Sequence, residues 1–296
     1  MTRSDFEGGS VSRVVVEDEQ GAEAMGKPPG TYITIESCHM SDGGPSTRHA
    51  LSEALATELK VLLDRHTRPV RTTLIVGLGN WNVTPDALGP RVIQEMLVTR
   101  HLLEVSPEMA AEGVQSVCAV APGVLGITGI ETGEIIQGIV NNVKPDLVIA
   151  IDALASRSLE RVGTTIQIAD TGINPGSGVG NKRKALSIDT LGVPVIAIGC
   201  PTVVYASTIA QDTVDAVMAS LAARFQKQNL EGFYHSLDEQ ERRDLVNGVL
   251  SPHLGNLVVT PKEVDAIIED MAKVIAGGLN VALHPTLDLE ETLYYL

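Results

Sequence analysis

Aromatic residues and cysteines are scarce in this chain of 296 residues. Aromatics make up 3% of the sequence and hydrophobic residues 44%, so the core must come from Val, Ile, Leu and Ala. Such a composition suits buried parallel strands. The three cysteines, Cys38, Cys118 and Cys200, form no CxxC pair, and an odd number argues against a disulfide framework. We interpret Cys118 and Cys200, which lie in apolar runs, as core thiols.

Positive charge and long hydrophobic runs are also in short supply. The chain has 22 Lys and Arg residues against 37 Asp and Glu, a formal net charge of −15. The phosphate backbone would repel such a protein, which argues against direct binding to DNA or RNA. No run approaches the roughly 18 apolar residues that span a membrane, and the N-terminus has no apolar signal segment. We therefore expect a soluble intracellular protein.

Histidine is missing from residues 102–234, and the chain contains no HExxH sequence. A Ser-His-Asp or Cys-His catalytic apparatus in this central region is therefore poorly supported. Acid/base chemistry there would fall to carboxylates.

The central region, about residues 70–226, alternates between strand-like and helix-like segments. Apolar strand-like runs lie at 72–78, 115–121, 146–152, 164–170 and 193–199, and helical spacing lies at 90–104, 131–144 and 207–226. This alternation predicts an α/β fold with a doubly wound, mostly parallel sheet and flanking helices.

The C-terminal part, about residues 236–284, has helical patterns. Ser236–Glu239 and Thr260–Glu263 each have the sequence of a capping box, which predicts a helix start at each. Gly277 and Gly278 follow the apolar stripe of the second helix and predict its end.

Two aspartates follow apolar strand-like runs of the central region. Asp86 follows the run 72–78 after a short loop, and Asp152 ends the run 146–152. Parallel α/β sheets place reactive groups at the carboxyl ends of their strands, so the two side chains are expected to face one crevice as an acid/base pair. The alternative is that each aspartate only stabilises a turn or the start of a helix.

Two glycine-rich segments do not match nucleotide-binding motifs. In the first, GLGN at 77–80, Asn82 stands where a dinucleotide fingerprint needs its third glycine. In the second, residues 174–184, GNKR replaces the Gly-Lys-Ser/Thr of a P-loop. We interpret the first as a tight strand-to-loop turn, and the second as either a solvated connection or a peptide-binding loop.

Asp170 opens the tripeptide Asp-Thr-Gly found in pepsin-like proteases. That fold needs an all-β context, which the α/β alternation here excludes. Asp170 still ends a strand-like run and is kept as a possible supporting residue of the crevice. Glu131, at the start of the helical segment 131–144, is a second.

Several long strings resemble one known family. They are VGLGNWNVTPDALGP, VAPGVLGITGIET, DLVIAIDALASRSLERV, ADTGINPGSGVGNKRK, GVPVIAIGCPTVV and VTPKEVDAIIEDMAKVIAGGLNVALH. Together they closely resemble the germination protease family of endospore-forming bacteria, over most of the chain.

The resemblance implies a cytoplasmic endopeptidase of the forespore or spore core that degrades small acid-soluble spore proteins. It implies a homotetramer and a fold related to hydrogenase maturation proteases. It also implies an atypical aspartic mechanism whose two aspartates match Asp86 and Asp152.

Family members are made as zymogens, and their propeptides end between an acidic and an apolar residue. Asp5 and Phe6 fit that pattern. The resemblance therefore implies a propeptide of residues 1–5, self-cleavage between Asp5 and Phe6, and a single peptidase domain of residues 6–296.

Peptide hydrolysis also needs donors that stabilise the oxyanion. The amides of the glycine loops, near Gly77 and Gly79 or near Gly176 and Gly178, are candidates. We expect no cofactor, with a metal ion kept open. Two alternative functions remain: a hydrogenase-type maturation protease, and a non-catalytic nucleotide-binding module.

Overall fold

The computed structural model describes residues 1–38, 40, 44–65, 69–110, 113–175, 184–225, 238, 240–242, 244, 248 and 257–286. The strands are β1 (Thr2–Phe6), β2 (Gly9–Val16), β3 (Gly30–Glu36), β4 (Thr72–Gly77), β5 (Ser116–Val120), β6 (Leu147–Ser156), β7 (Thr165–Ala169), β8 (Val195–Tyr205) and β9 (Val258–Val259). The α-helices are α1 (Glu19–Met25), α2 (Gly44–Asp64), α3 (Leu88–Gln94), α4 (Arg100–Val105), α5 (Leu125–Thr128), α6 (Thr132–Val143), α7 (Ile188–Leu191), α8 (Ala206–Phe225) and α9 (Val264–Leu283). Short 3-10 helices lie at Thr84–Asp86, Pro107–Ala110 and Leu159–Arg161.

The described strands form one mixed sheet in the order β1-β2-β3-β7-β8-β6-β4-β5, with β9 paired to β8. The strands β8, β6, β4 and β5 are parallel neighbours. The pairs β1–β2, β2–β3, β3–β7, β7–β8 and β8–β9 are antiparallel. The predicted α/β class with flanking helices is confirmed, and the parallel arrangement is its central part.

Strand β7 explains why the sheet is mixed. Its run was correctly predicted as a strand, but only residues 157–164 connect it to β6. A parallel crossover needs about a dozen residues or more. Strand β7 therefore lies antiparallel beside β8, and β3, β2 and β1 extend the antiparallel part.

Both faces of the central sheet are buried, which explains the continuous apolar runs of its strands. On β4, Leu74 and Val76 face one core, and Ile75 faces the other. Helices α2, α3 and α9 cover the face of Ile75, whereas α6 covers the opposite face. Aliphatic side chains fill both layers, as the low aromatic content predicts.

Helix α9 differs from its predicted bounds at both ends. It continues past Gly277 and Gly278 to Leu283, and both glycines are buried. A Cβ at Gly278 would lie 2.8 Å from the side chain of Leu55 on α2. The glycines thus permit close helix packing, and the prediction that they end the helix is wrong.

The start of α9 also lacks the predicted capping box. Glu263 is the N-cap and makes no side-chain capping bond, while the Thr260 hydroxyl donates to the carbonyl of Thr202 at 2.9 Å. Of the other predicted box, Ser236 and Glu239 lie outside the described residues. Nearby, Asp238 and Glu241 exchange reciprocal backbone-to-carboxylate hydrogen bonds of 2.8 Å each.

Of the predicted propeptide, residues 1–5, residues 2–5 belong to the edge strand β1 of the same sheet. The division into a propeptide and a domain of residues 6–296 stays a prediction. Among the described helices, none has the length and apolar character needed to cross a bilayer.

Candidate active site

A cavity of about 750 Å³ opens where the central parallel strands meet the loops that follow them. Its walls include residues 78–79, 83 and 85–86 after β4, the later residues of β6, and Thr202 and Val203 of β8. Asp86 and Asp152 both line this cavity. The structure therefore brings the two predicted aspartates to one site, although 66 positions separate them in the sequence.

Asp152 lies on β6 and is 7% exposed. One of its carboxylate oxygens accepts a hydrogen bond of 3.0 Å from the amide of Ala153. Strand β6 continues to Ser156 and stays paired with β8, with a register shift between Leu154 and Ala155. Asp152 therefore does not end its strand, and the alternative that it caps a helix is wrong.

Asp86 is the last residue of the 3-10 helix Thr84–Asp86 and is half-buried. Its carbonyl accepts a hydrogen bond of 3.0 Å from the amide of Asn80. Gly79 has a φ of +119°, and a Cβ there would lie 1.9 Å from the Asp86 carbonyl oxygen. Only glycine fits this close approach, so Gly79 shapes the loop that carries Asp86.

Thr202 connects this loop to the sheet. Its side chain is buried, and its hydroxyl donates a hydrogen bond of 2.6 Å to the carbonyl of Pro85. The Thr260 hydroxyl in turn donates to the Thr202 carbonyl. Strand β8 thus fixes the residue before Asp86, a contact that sequence reasoning missed because 117 positions separate the partners.

The other predicted supporting residues lie elsewhere or outside the described chain. A Cβ at Gly77 would lie 2.3 Å from the Gly89 carbonyl oxygen of α3, so this glycine permits strand–helix packing. Asp170 is exposed, and its carboxylate accepts from the amide of Thr31 at 2.7 Å. Glu131 is the N-cap of α6 without a side-chain capping bond. The described residues lining the cavity do not include Gly77, Asp170 or Glu131, and Gly176 and Gly178 are outside the described residues.

The predicted cleavage site lies in a paired strand. Asp5 faces Ser10 and Phe6 faces Gly9 across the β1–β2 ladder. Phe6 also packs against the core. The bond between Asp5 and Phe6 is therefore part of the folded sheet.

Three cationic side chains, Lys27, Arg157 and Arg161, also line the cavity. Partial burial lowers the pKa of Lys27, and the positive charges of Arg161 and Arg157 lower it further. The cavity thus carries carboxylates and a group of mutually repelling cations.

No cluster of three or more His, Cys, Asp or Glu side chains suited to a metal ion occurs in the described part of the chain. The expectation of no cofactor stays a prediction.

The fold and the cavity define an α/β protein with a candidate acidic active site beside the ends of its parallel strands. The sequence model of the germination protease family matches residues 2–230 and 220–296. The chain belongs to this family, as the resemblance predicted, and is a protease of spore germination.

Relatives named germination protease match nearly the whole chain. The Clostridium tetani protein is 50% identical over 97% of this chain and 88% of its own length. The protein of Caldanaerobacter subterraneus subsp. tengcongensis is 51% identical, with coverages of 96% and 88%. The Bacillus subtilis protein is 49% identical, with coverages of 96% and 86%.

Among solved structures, a NiFe hydrogenase maturation protease from Thermococcus kodakarensis matches with 24% identity and a TM-score of 0.30. The match covers 48% of this chain and 80% of that chain.

Proposed function

We propose that this protein is an endopeptidase that degrades small acid-soluble spore proteins during germination, in the cytoplasm of the forespore or spore core. It is made as a self-processing zymogen and works as a homotetramer. The family membership supports the peptidase assignment. The observation that carries the mechanism is that Asp86 and Asp152 line one cavity.

In the proposed mechanism, the two carboxylates share one proton. Like charges held close together raise one of the two pKa values, so one carboxylate can activate water while the other holds a proton for the leaving amine. The apparent pKa values then belong to the pair. The pair acts without a bound metal. The backbone amide of Gly79 is the proposed oxyanion donor.

The test replaces each aspartate by asparagine, which keeps the shape and removes the charge. We expect Asp86→Asn and Asp152→Asn each to lower cleavage of a small acid-soluble spore protein by about 10²- to 10⁴-fold, the usual contribution of acid/base groups. Asp170→Asn is the matched control and should keep most of the activity. The wild type should still cleave after exhaustive chelation. Full activity in both asparagine variants would overturn the proposed dyad.

A further inference from the structure

One edge of strand β6 is open beside the active-site cavity. Strand β4 pairs with β6 only as far as the contact between Gly77 and Ile151, whereas β8 stays paired with β6 up to Ser156. After β4, Gly79 has a φ of +119° and begins the loop that leads to the first aspartate. No described strand therefore pairs with residues 152–156 on the side that β4 leaves.

The backbone of this open edge carries unused hydrogen-bonding groups. On the side of β4, the Ile151 carbonyl accepts from the Leu78 amide at 2.8 Å. Peptide groups alternate in direction along a strand, so those of Ala153 and Ala155 point to the same side. The Ala153 amide donates to the Asp152 carboxylate. The Ala153 carbonyl and both backbone groups of Ala155 have no hydrogen-bond partner among the described residues. Such a row of unpaired groups is a template for another strand.

The cavity has room for that strand. Every residue from Asp152 to Arg157 lines it, and so do Gly123 and Val124, which follow β5. Strand β5 lies on the far side of β4 from β6. One strand at the usual spacing of about 4.8 Å therefore fits in the place that β4 vacates.

We propose that the polypeptide substrate binds as an added β-strand along Ala153–Ala155, held through its backbone. This inference rests on the proposed function, because a peptidase cavity that holds the reacting aspartates receives a polypeptide. Asp152 immediately precedes the open edge, so a strand paired there lies directly beside a reacting carboxylate. A permanent strand in this place, from this chain or from a second copy, would block access to Asp152, which favours the substrate as the occupant.

This mode of binding determines which substrate amides matter. In an added strand, main-chain hydrogen bonds provide the affinity, and the residues that make them alternate with residues that face the other way. Two substrate amides, two residues apart, would donate to the carbonyls of Ala153 and Ala155. Because the open edge ends at Ser156, both lie within about four residues of the cleaved bond.

The first test is a scan of N-methyl groups along a short spore-protein peptide that the wild type cleaves. Each N-methyl group removes one amide donor and keeps the carbonyl, and the cleaved bond itself is left unmodified. Mass spectrometry gives the cut site, and initial rates give kcat/KM. We expect kcat/KM to fall by about threefold to tenfold or more, the scale of one hydrogen bond, at two positions two residues apart on one side of the cut. The position between them should tolerate the methyl group better.

Ala155→Pro tests the same pairing from the protein side. Proline lacks the amide that faces the open edge, and strands tolerate proline where that amide is outside the ladder. We expect kcat/KM to fall by about threefold to tenfold. Ala155→Ser keeps the amide and is the matched control, with activity close to that of the wild type. If the proline variant fails to fold, the N-methyl scan on the wild type decides.

Hydrogen exchange gives a readout that does not depend on the reaction rate. It is measured on Asp86→Asn, which should bind the peptide without cutting it. Within residues 153–156, the amide of Ala155 should exchange fast in the free protein and slowly with saturating peptide. Slow exchange already in the free protein would show that another segment or a second copy covers the edge, and would overturn the proposal.

Failure of the added strand and failure of the proposed function give different results. Equal kcat/KM for all N-methyl peptides, or losses that do not alternate, would overturn the strand and leave the peptidase function standing. If the wild type cleaves neither peptide nor spore protein, the proposed function fails. Hydrogen exchange with the same peptide then decides the binding mode, and an Ala155 amide that the peptide does not slow would overturn it.

Discussion

At the scale of single residues, the side chain of Thr202 holds the loop before Asp86 in place. Replacing it by Val keeps the branched shape and removes the hydroxyl that donates to Pro85. We expect Thr202→Val to lower the free energy of unfolding by about 1 kcal/mol. A small displacement of a reacting group can cost up to about 10²-fold in rate, so kcat should fall at least severalfold, with KM changing less.

Thr202→Ser is the matched control, because it keeps the hydroxyl. Its activity on a spore-protein substrate should stay close to that of the wild type. A Val variant with wild-type kcat would show that Thr202 does not position Asp86.

His284 is the residue from which a pH dependence of stability is expected. It is fully buried, and neither ring nitrogen makes a hydrogen bond of normal geometry to a described residue. Burial lowers its pKa below the ordinary 6.5, and a weaker contact with the Leu97 backbone opposes the shift. The unfolded chain therefore binds a proton below about pH 6.5 that the folded protein resists, so stability is lost as the pH falls.

We expect the contribution of His284 to the free energy of unfolding to fall by up to about 1.4 kcal/mol per pH unit below 6.5. Urea unfolding of the wild type and of His284→Phe at pH 7.5 and 5.5 measures it. The variant should lose less stability than the wild type on acidification, and the exposed control His101→Phe should behave as the wild type does. Equal losses in wild type and His284→Phe would contradict the assignment to His284.

The sequence could predict that Asp86 and Asp152 lie at one cavity, because Asp86 follows an apolar strand-like run and Asp152 ends another. It could not predict that Thr202 positions the loop before Asp86, or that Arg161 lines the cavity. Thr202 contacts a loop 117 positions away, and the surroundings of Arg161 depend on how separate segments meet. The local sequence pattern carries no information on how such distant segments meet.

At the scale of elements, the period of the apolar residues predicted where strands lie, but not how they pair. Strand β6 exceeds its predicted end by four residues because its pairing with β8 continues past Asp152. The predicted helix 90–104 is two helices, α3 and α4. Propensity does not reveal such limits, because tertiary contacts override it.

The contact between α2 and α9 offers a test at this scale. Alanine at Gly278 would gain up to about 1 kcal/mol in helix propensity. Its Cβ would, however, lie 2.8–2.9 Å from the Cδ2, Cγ and Cβ atoms of Leu55. Overpacking costs about 1–3 kcal/mol, so we expect Gly278→Ala to be destabilising in urea unfolding.

Gly138 on α6 is the matched control, because a Cβ there meets no heavy atom within 4 Å. Gly138→Ala should raise the free energy of unfolding by about 0.5–1 kcal/mol. If both variants are stabilised, α2 and α9 do not pack as closely as described.

At the scale of the whole molecule, the proposed self-cleavage site and the proposed active site are far apart. Strands β2, β3, β7 and β8 separate β1 from β6. Five spacings of about 4.8 Å place the bond between Asp5 and Phe6 about 24 Å from Asp152. A bond whose backbone is paired to a neighbouring strand also cannot enter an active-site cavity. Strand β1 must therefore leave the sheet before the bond between Asp5 and Phe6 can be cleaved, whether by the active site of the same copy or by that of another copy.

A disulfide across the β1–β2 ladder would test this requirement. Arg3 and Ser12 face each other in the register, at a separation that a disulfide can bridge. We expect Arg3→Cys/Ser12→Cys, in a Cys38→Ser background, to process when reduced and to stay uncut when oxidised. The disulfide would hold residues 1–5 on the chain even after a cut, so each time point is denatured and fully reduced before its intact mass is measured, and the loss of residues 1–5 then reports the cut in both states. The reduced sample is the control for the substitutions themselves, and equal rates in both states would show that β1 need not be released.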